Sequence, residues 1–222
     1  MEILPTIELE SPQGVEVNTA IIWLHGLGAD GNDFAPIVPE LSLPENVGIR
    51  FVFPHAPSIP VTINNGIVMP AWYDIKKLDV NGHIDDGELR QSAHRIHNLI
   101  DREIERGVSS ERIIVAGFSQ GGAVSLEAAL TYTKPLGGIM ALSTYFATAG
   151  TILINPIQHT IPIMICHGTM DAVVPEALGR KSLATLQNLG FIPEYNNYPM
   201  EHTVCPLEIG DISDWITRVL SE

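Results

Sequence analysis

Ser119 stands between Gly117 and Gly121 in "GFSQG", where one sequence pattern gives way to another. Ile113, Ile114, Val115 and Ala116 form a short apolar run suited to a strand buried on both faces. From Ala123 the apolar residues Val124, Leu126, Ala128, Ala129 and Leu130 recur with helical spacing. A serine on that bend either caps the helix or is a nucleophile raised above a sheet by a tight turn. Flanking glycines serve the second role by removing side chains that would collide in the turn. The G-x-S-x-G pattern is weak alone, so the rest of the chain must supply the chemistry.

A serine hydroxyl attacks poorly until a base takes its proton. The elbow arrangement runs serine, acid, histidine along the chain, an order this sequence satisfies. Of eight histidines only His202 lies beyond residue 171, just after the expected strand Glu194–Tyr198 in "YPMEHTVCP". His167 also follows a strand but precedes every suitable acid. Asp171, in "IPIMICHGTMDAVVP", is the expected acid that orients the His202 imidazole. Glu176, on the next helix, and Glu201, beside the base, are weaker candidates. Two backbone N–H groups must hold an oxyanion. One is expected from Gln120 and the other from Leu27, in "WLHGLGADGNDF".

That loop also reads as G-x-G-x-x-G at Gly26, Gly28 and Gly31. A dinucleotide site would want an acid at the end of the next strand, and "RFVFPHAP" has none. His94 and His97 have metal-pair spacing on an expected helix, but a solvated face accounts for them better. "NGHIDDGE" lacks a calcium-loop spacing and reads as a loop with a helix start. No metal and no cofactor is expected.

Strands are expected at Ile3–Glu8, Ala20–Leu24, Arg50–Phe53, Ile113–Ala116, Gly138–Leu142, Ile163–Cys166 and Glu194–Tyr198. Helices are expected at Asp33–Leu41, Glu88–Arg106, Gln120–Thr131, Glu176–Leu189 and Leu207–Leu220. Alternating elements with wholly apolar strands indicate an α/β protein, a mostly parallel sheet covered on both faces. Its site belongs beyond the carboxyl ends of the strands. The segment Pro54–Asp86 breaks the alternation, with a small hairpin expected at Asn64-Asn65-Gly66. The apolar patches within it suggest a lid over the substrate that touches lipid through residues 58–72.

The 222 residues suit one domain spanning 1–222. A net charge of −14 argues against a nucleic-acid surface and against steering to anionic lipid. Two cysteines, Cys166 and Cys205, are too few for a disulfide scaffold. No signal peptide or membrane span is legible, so a cytoplasmic protein is expected.

The motifs "WLHGLGADGNDF", "PHAP", "MPAWYD", "GFSQGGAVSL", "ALSTY", "HGTMDAVVP" and "PMEHTVCPLEI" occur in this order. Together they make the chain resemble the acyl-protein thioesterase and bacterial carboxylesterase family of small α/β-hydrolases. The resemblance implies hydrolysis of carboxylic esters or acyl thioesters, with acylated proteins or lysophospholipids among the substrates and no cofactor. It places nucleophile, acid and base on Ser119, Asp171 and His202, and oxyanion donors on Leu27 and Gln120. Trp72 of "MPAWYD" matches a tryptophan near the acyl site, with Met69 and Phe118 expected beside it. Some members dimerise over the acyl groove. This chain reads Leu142-Ser143-Thr144-Tyr145 where relatives commonly read "LSGY", which bears on pocket shape. A non-catalytic lipid- or acyl-binding module on the same fold is the alternative.

Overall fold

The computed structural model describes residues 3–76 and 86–221. Its strands are β1 (Thr6–Ser11), β2 (Val17–Leu24), β3 (Gly48–Pro54), β4 (Ser58–Val61), β5 (Ile67–Pro70), β6 (Ile113–Phe118), β7 (Gly138–Leu142), β8 (Ile163–Gly168) and β9 (Glu194–Tyr198). The α-helices are α1 (Asp86–Glu105), α2 (Gln120–Thr131), α3 (Glu176–Asn188) and α4 (Pro206–Val219). Seven strands form one sheet in the order β1-β3-β2-β6-β7-β8-β9, with β4 and β5 in a separate hairpin. β1 runs antiparallel to β3, and every other pair in the large sheet is parallel.

Successive residues of a strand point to opposite faces, and the central strands divide their apolar side chains accordingly. Ile22, Leu24, Val115 and Ile165 pack against α1, α2 and α3. Ile21, Trp23, Ala116 and Met164 pack against α4 and the short 3-10 segment Ala35–Glu40. Both faces are therefore covered, which explains why these strands read as unbroken apolar runs. After β2 the chain turns to β3 on one side, and after β6 it turns to β7 on the other. The carboxyl ends of β2 and β6, paired at Leu24 and Gly117, mark this topological switch point. A crevice opens there in sheets of this kind.

Two expected elements differ. Asp33–Leu41 is no α-helix but a 3-10 segment, because Pro36 and Pro39 remove the N–H donors an α-helix needs. The first strand begins at Thr6 instead of Ile3 and pairs Thr6 through Ser11 with Pro54 back to Ile49. The hairpin expected at Asn64–Gly66 is present. Asn65 takes a left-handed conformation at φ 56° between β4 and β5. Residues 81–85 of "NGHIDDGE" lie outside the described residues, while Asp86 to Glu88 start α1.

Candidate active site

Ser119 follows β6 and precedes α2, with φ 54° and ψ −120°. Such a conformation costs a non-glycine residue on the order of 1–3 kcal/mol. The surroundings hold it there: its N–H donates to the Leu142 carbonyl at 2.9 Å, and its carbonyl accepts from the Thr144 hydroxyl at 2.5 Å. Gly121 completes the turn. A Cβ there would lie 2.5 Å from the His25 carbonyl oxygen, so only glycine lets α2 come this close to β2.

The loops after β8 and β9 reach the same point. His202 places Nε2 2.9 Å from Ser119 Oγ and Nδ1 2.6 Å from Asp171 Oδ2. Asp171 itself is fixed, since Oδ1 accepts from the N–H groups of Val173 at 2.9 Å and Val174 at 2.8 Å. With Nδ1 donating to the carboxylate, Nε2 is left to accept the serine proton. His167 lies beneath, fully buried, and its Nε2 donates to the Val174 carbonyl at 2.8 Å. Glu176 is engaged elsewhere, by Tyr195, Asn197 and Arg180.

The N–H groups of Leu27 and Gln120 find no acceptor among the described residues, and both residues line a cleft with Ser119. Each donor is held from behind. His25, fully buried, accepts the Ala56 N–H at Nε2, at 3.1 Å, so its Nδ1 carries the proton and donates to the Gly26 carbonyl at 2.7 Å. Burial keeps this imidazole's pKa below its ordinary value. Because the Gly26 carbonyl and the Leu27 N–H belong to one planar trans unit, His25 orients both. The Gln120 side chain accepts the Trp72 N–H at 2.9 Å and donates to the Tyr73 carbonyl at 2.7 Å. The hairpin segment is thereby tied to the elbow.

The cleft measures about 280 Å³, and Leu27, Ile75, Phe118, Tyr145, Val173 and Val174 give it an apolar wall. The Phe118 ring centroid lies 4.7 Å from that of His202. Trp72 is placed differently. Its side chain is buried in the core, its indole N–H donates to the His25 carbonyl at 2.8 Å, and it lines no wall of the cleft. Met69 sits on β5 with its sulfur accepting from the Asn64 side chain at 3.2 Å, also outside the cleft lining. Tyr145, which keeps the tyrosine of "LSGY" behind the departing Thr144 and was given no role of its own, lines the cleft and shares a 3.0 Å hydrogen bond with Tyr73. Ile75, Val173 and Val174 carried no individual signal, although the two valines fall inside a recognised motif.

His94 is exposed, while His97 is half-buried and donates from Nε2 to the Ala128 carbonyl at 2.8 Å. Among the described residues no group of three or more His, Cys, Asp or Glu side chains is placed to hold a metal ion. No helix of the described residues is long and apolar enough to cross a membrane.

Comparison with known proteins places the chain in a family. Acyl-protein thioesterase 1 of Gibberella zeae is 36% identical over 220 residues, covering 94% of each chain. Among solved structures, Arabidopsis thaliana SOBER1 is 34% identical with a TM-score of 0.85, over 91% of this chain and 99% of that one. Zea mays acyl-protein thioesterase 2 gives a TM-score of 0.86 at 29% identity, over 98% of this chain and 99% of that one. The profile of the family described as Phospholipase/Carboxylesterase matches residues 6–220, so this chain belongs to that family of α/β-hydrolase-fold enzymes.

Proposed function

We propose that the enzyme hydrolyses carboxylic esters or acyl thioesters through an acyl-enzyme on Ser119. The observation that carries the reading is the relay in which His202 touches Ser119 Oγ at 2.9 Å and Asp171 Oδ2 at 2.6 Å. His202 takes the serine proton as Oγ attacks the acyl carbon, and Asp171 stabilises the imidazolium that forms. The Leu27 and Gln120 N–H groups receive the oxyanion. His202 then protonates the departing oxygen or sulfur, and water releases the acyl group by the same steps.

The apolar wall of the cleft favours a hydrocarbon acyl chain over a polar one. Relatives named acyl-protein thioesterase make acylated proteins one substrate class for this chain. The hairpin β4–β5 exposes Ile67 and Val68 at 59% and 62%, in keeping with a segment that contacts acyl chains or lipid. The test is hydrolysis of p-nitrophenyl esters of increasing chain length by wild type and Ser119→Ala. Turnover is expected to fall about a million-fold in the variant. Equal turnover by both proteins overturns the reading.

A further inference from the structure

Two clefts meet at His202. The first, described above, contains Ser119 and the Leu27 and Gln120 N–H groups. The second, about 310 Å³, is lined by Asp33, Phe34, Phe118, His202, Thr203 and Val204, and contains neither the serine nor either donor. The histidine that takes the serine proton must later deliver it to the departing atom. The leaving group therefore lies against His202, away from the apolar acyl wall, and the second cleft is the space open to it there.

The chemistry of that cleft is uneven. Asp33 is its carboxylate, and it borders the first cleft as well. Nearby Asp30 is committed, its Oδ1 accepting from the Asn32 N–H at 2.7 Å and the Asn32 side chain at 2.9 Å. The Asp33 side chain accepts no hydrogen bond from the described residues, and its backbone N–H alone is used, donating to the Asp30 carbonyl at 3.1 Å. Phe34 and Phe118 stand beside it with ring centroids 5.5 Å apart and planes tilted by 47°. A carboxylate next to aromatic faces attracts an ammonium group through both charge and the ring quadrupole. The same surroundings disfavour an anion.

We propose that this cleft is a leaving-group subsite, and that it selects esters or thioesters whose alcohol or thiol carries an ammonium group. The inference rests on the ester and thioester reading above. The acyl C–O or C–S bond breaks, the electron pair leaves with the oxygen or sulfur, and His202 supplies the proton. The ammonium itself undergoes no change and remains beside Asp33 until the product departs.

The test compares butyrylcholine with 3,3-dimethylbutyl butyrate, which share an acyl group and differ by nitrogen for carbon in the leaving group. An exposed ion pair and a cation–π contact together predict a kcat/KM ratio favouring the choline ester by about 3- to 30-fold. Asp33→Asn is expected to lower the ratio at least about threefold, and Asp33→Lys to bring it below that of Asp33→Asn. Glu45→Gln makes the same change of net charge in the exposed segment before β3, at the opposite end of the sheet from the site. It should leave the ratio at the wild-type value. A wild-type ratio of one, an unchanged ratio in Asp33→Asn, or an equal drop in Glu45→Gln overturns the subsite while the neutral ester is still hydrolysed. Failure to hydrolyse either ester overturns the hydrolase reading, and this inference with it.

Discussion

At the scale of single residues, the site depends on where protons sit. Asp171 binds the Val173 and Val174 N–H groups through Oδ1 and the His202 Nδ1 proton through Oδ2. Asp171→Asn should present an amide to His202 and favour the wrong tautomer, lowering kcat about 10⁴-fold with little change in fold. Steady-state kinetics beside a circular dichroism spectrum checks this, and a loss under tenfold contradicts it. That Ser119, Asp171 and His202 come within hydrogen-bonding distance was legible in the sequence, because chain order and strand ends restrict the choices to very few. Tyr145 and Asp33 were not, because each acts through neighbours distant in sequence. Tyr145 meets Tyr73, and Asp33 lies beside Phe118 and His202. Trp72 shows the converse, a motif residue whose side chain supports the cleft from the core without lining it.

At the scale of elements, the elbow is a close approach of α2 to the end of β2. Gly121→Ala would bring a Cβ to 2.5 Å from the His25 oxygen and 2.7 Å from that of Leu24, both backbone atoms that cannot swing aside. The helix must shift, taking the Gln120 N–H with it. We expect a loss of about 1–3 kcal/mol in stability together with lower kcat, read from urea midpoints and ester hydrolysis on one preparation. Unchanged values of both would show that the approach is looser than described. Most elements were readable because buried parallel strands and amphipathic helices have distinct periods. The segment from Asp33 to Leu41 misled because its apolar spacing is helical, while its two prolines deny the α-helical hydrogen bonds. The start of β1 was misplaced because the apolar Ile3 and Leu4 extend the run toward the terminus, whereas the alternation of Ile7 and Leu9 with Glu8 and Glu10 begins where pairing with β3 does, at Thr6.

At the scale of the whole molecule, the acidic chain buries Glu103, Glu127, Asp171 and Glu208, and the first three meet cationic or hydrogen-bonding partners. Glu208, in the first turn of α4, is fully buried, and neither oxygen has a hydrogen-bond partner of good geometry among the described residues. Burial pushes its pKa up to about 8, against a weaker downward pull from the Cys205 backbone and the Cys166 thiol. The folded protein thus holds a proton that the unfolded chain, with an ordinary value of 4.5, releases. This contribution to stability is complete below pH 4.5 and is lost progressively as pH rises toward about 8. In that window its slope approaches about 1.4 kcal/mol per pH unit. Glu208→Gln should remove this slope, measured as denaturant midpoints from pH 5 to pH 9 for both proteins. Parallel curves would contradict the assignment to Glu208.

The central claim is that Ser119 is the atom-bearing nucleophile. Its most direct measurement is intact-mass and peptide-mass analysis after reaction with a fluorophosphonate, with residual ester hydrolysis followed in the same sample. We predict one adduct per chain, on Ser119, appearing in step with the loss of activity and absent from His202→Ala over the same period. An adduct on another residue, or full hydrolysis by protein modified at Ser119, would contradict the account.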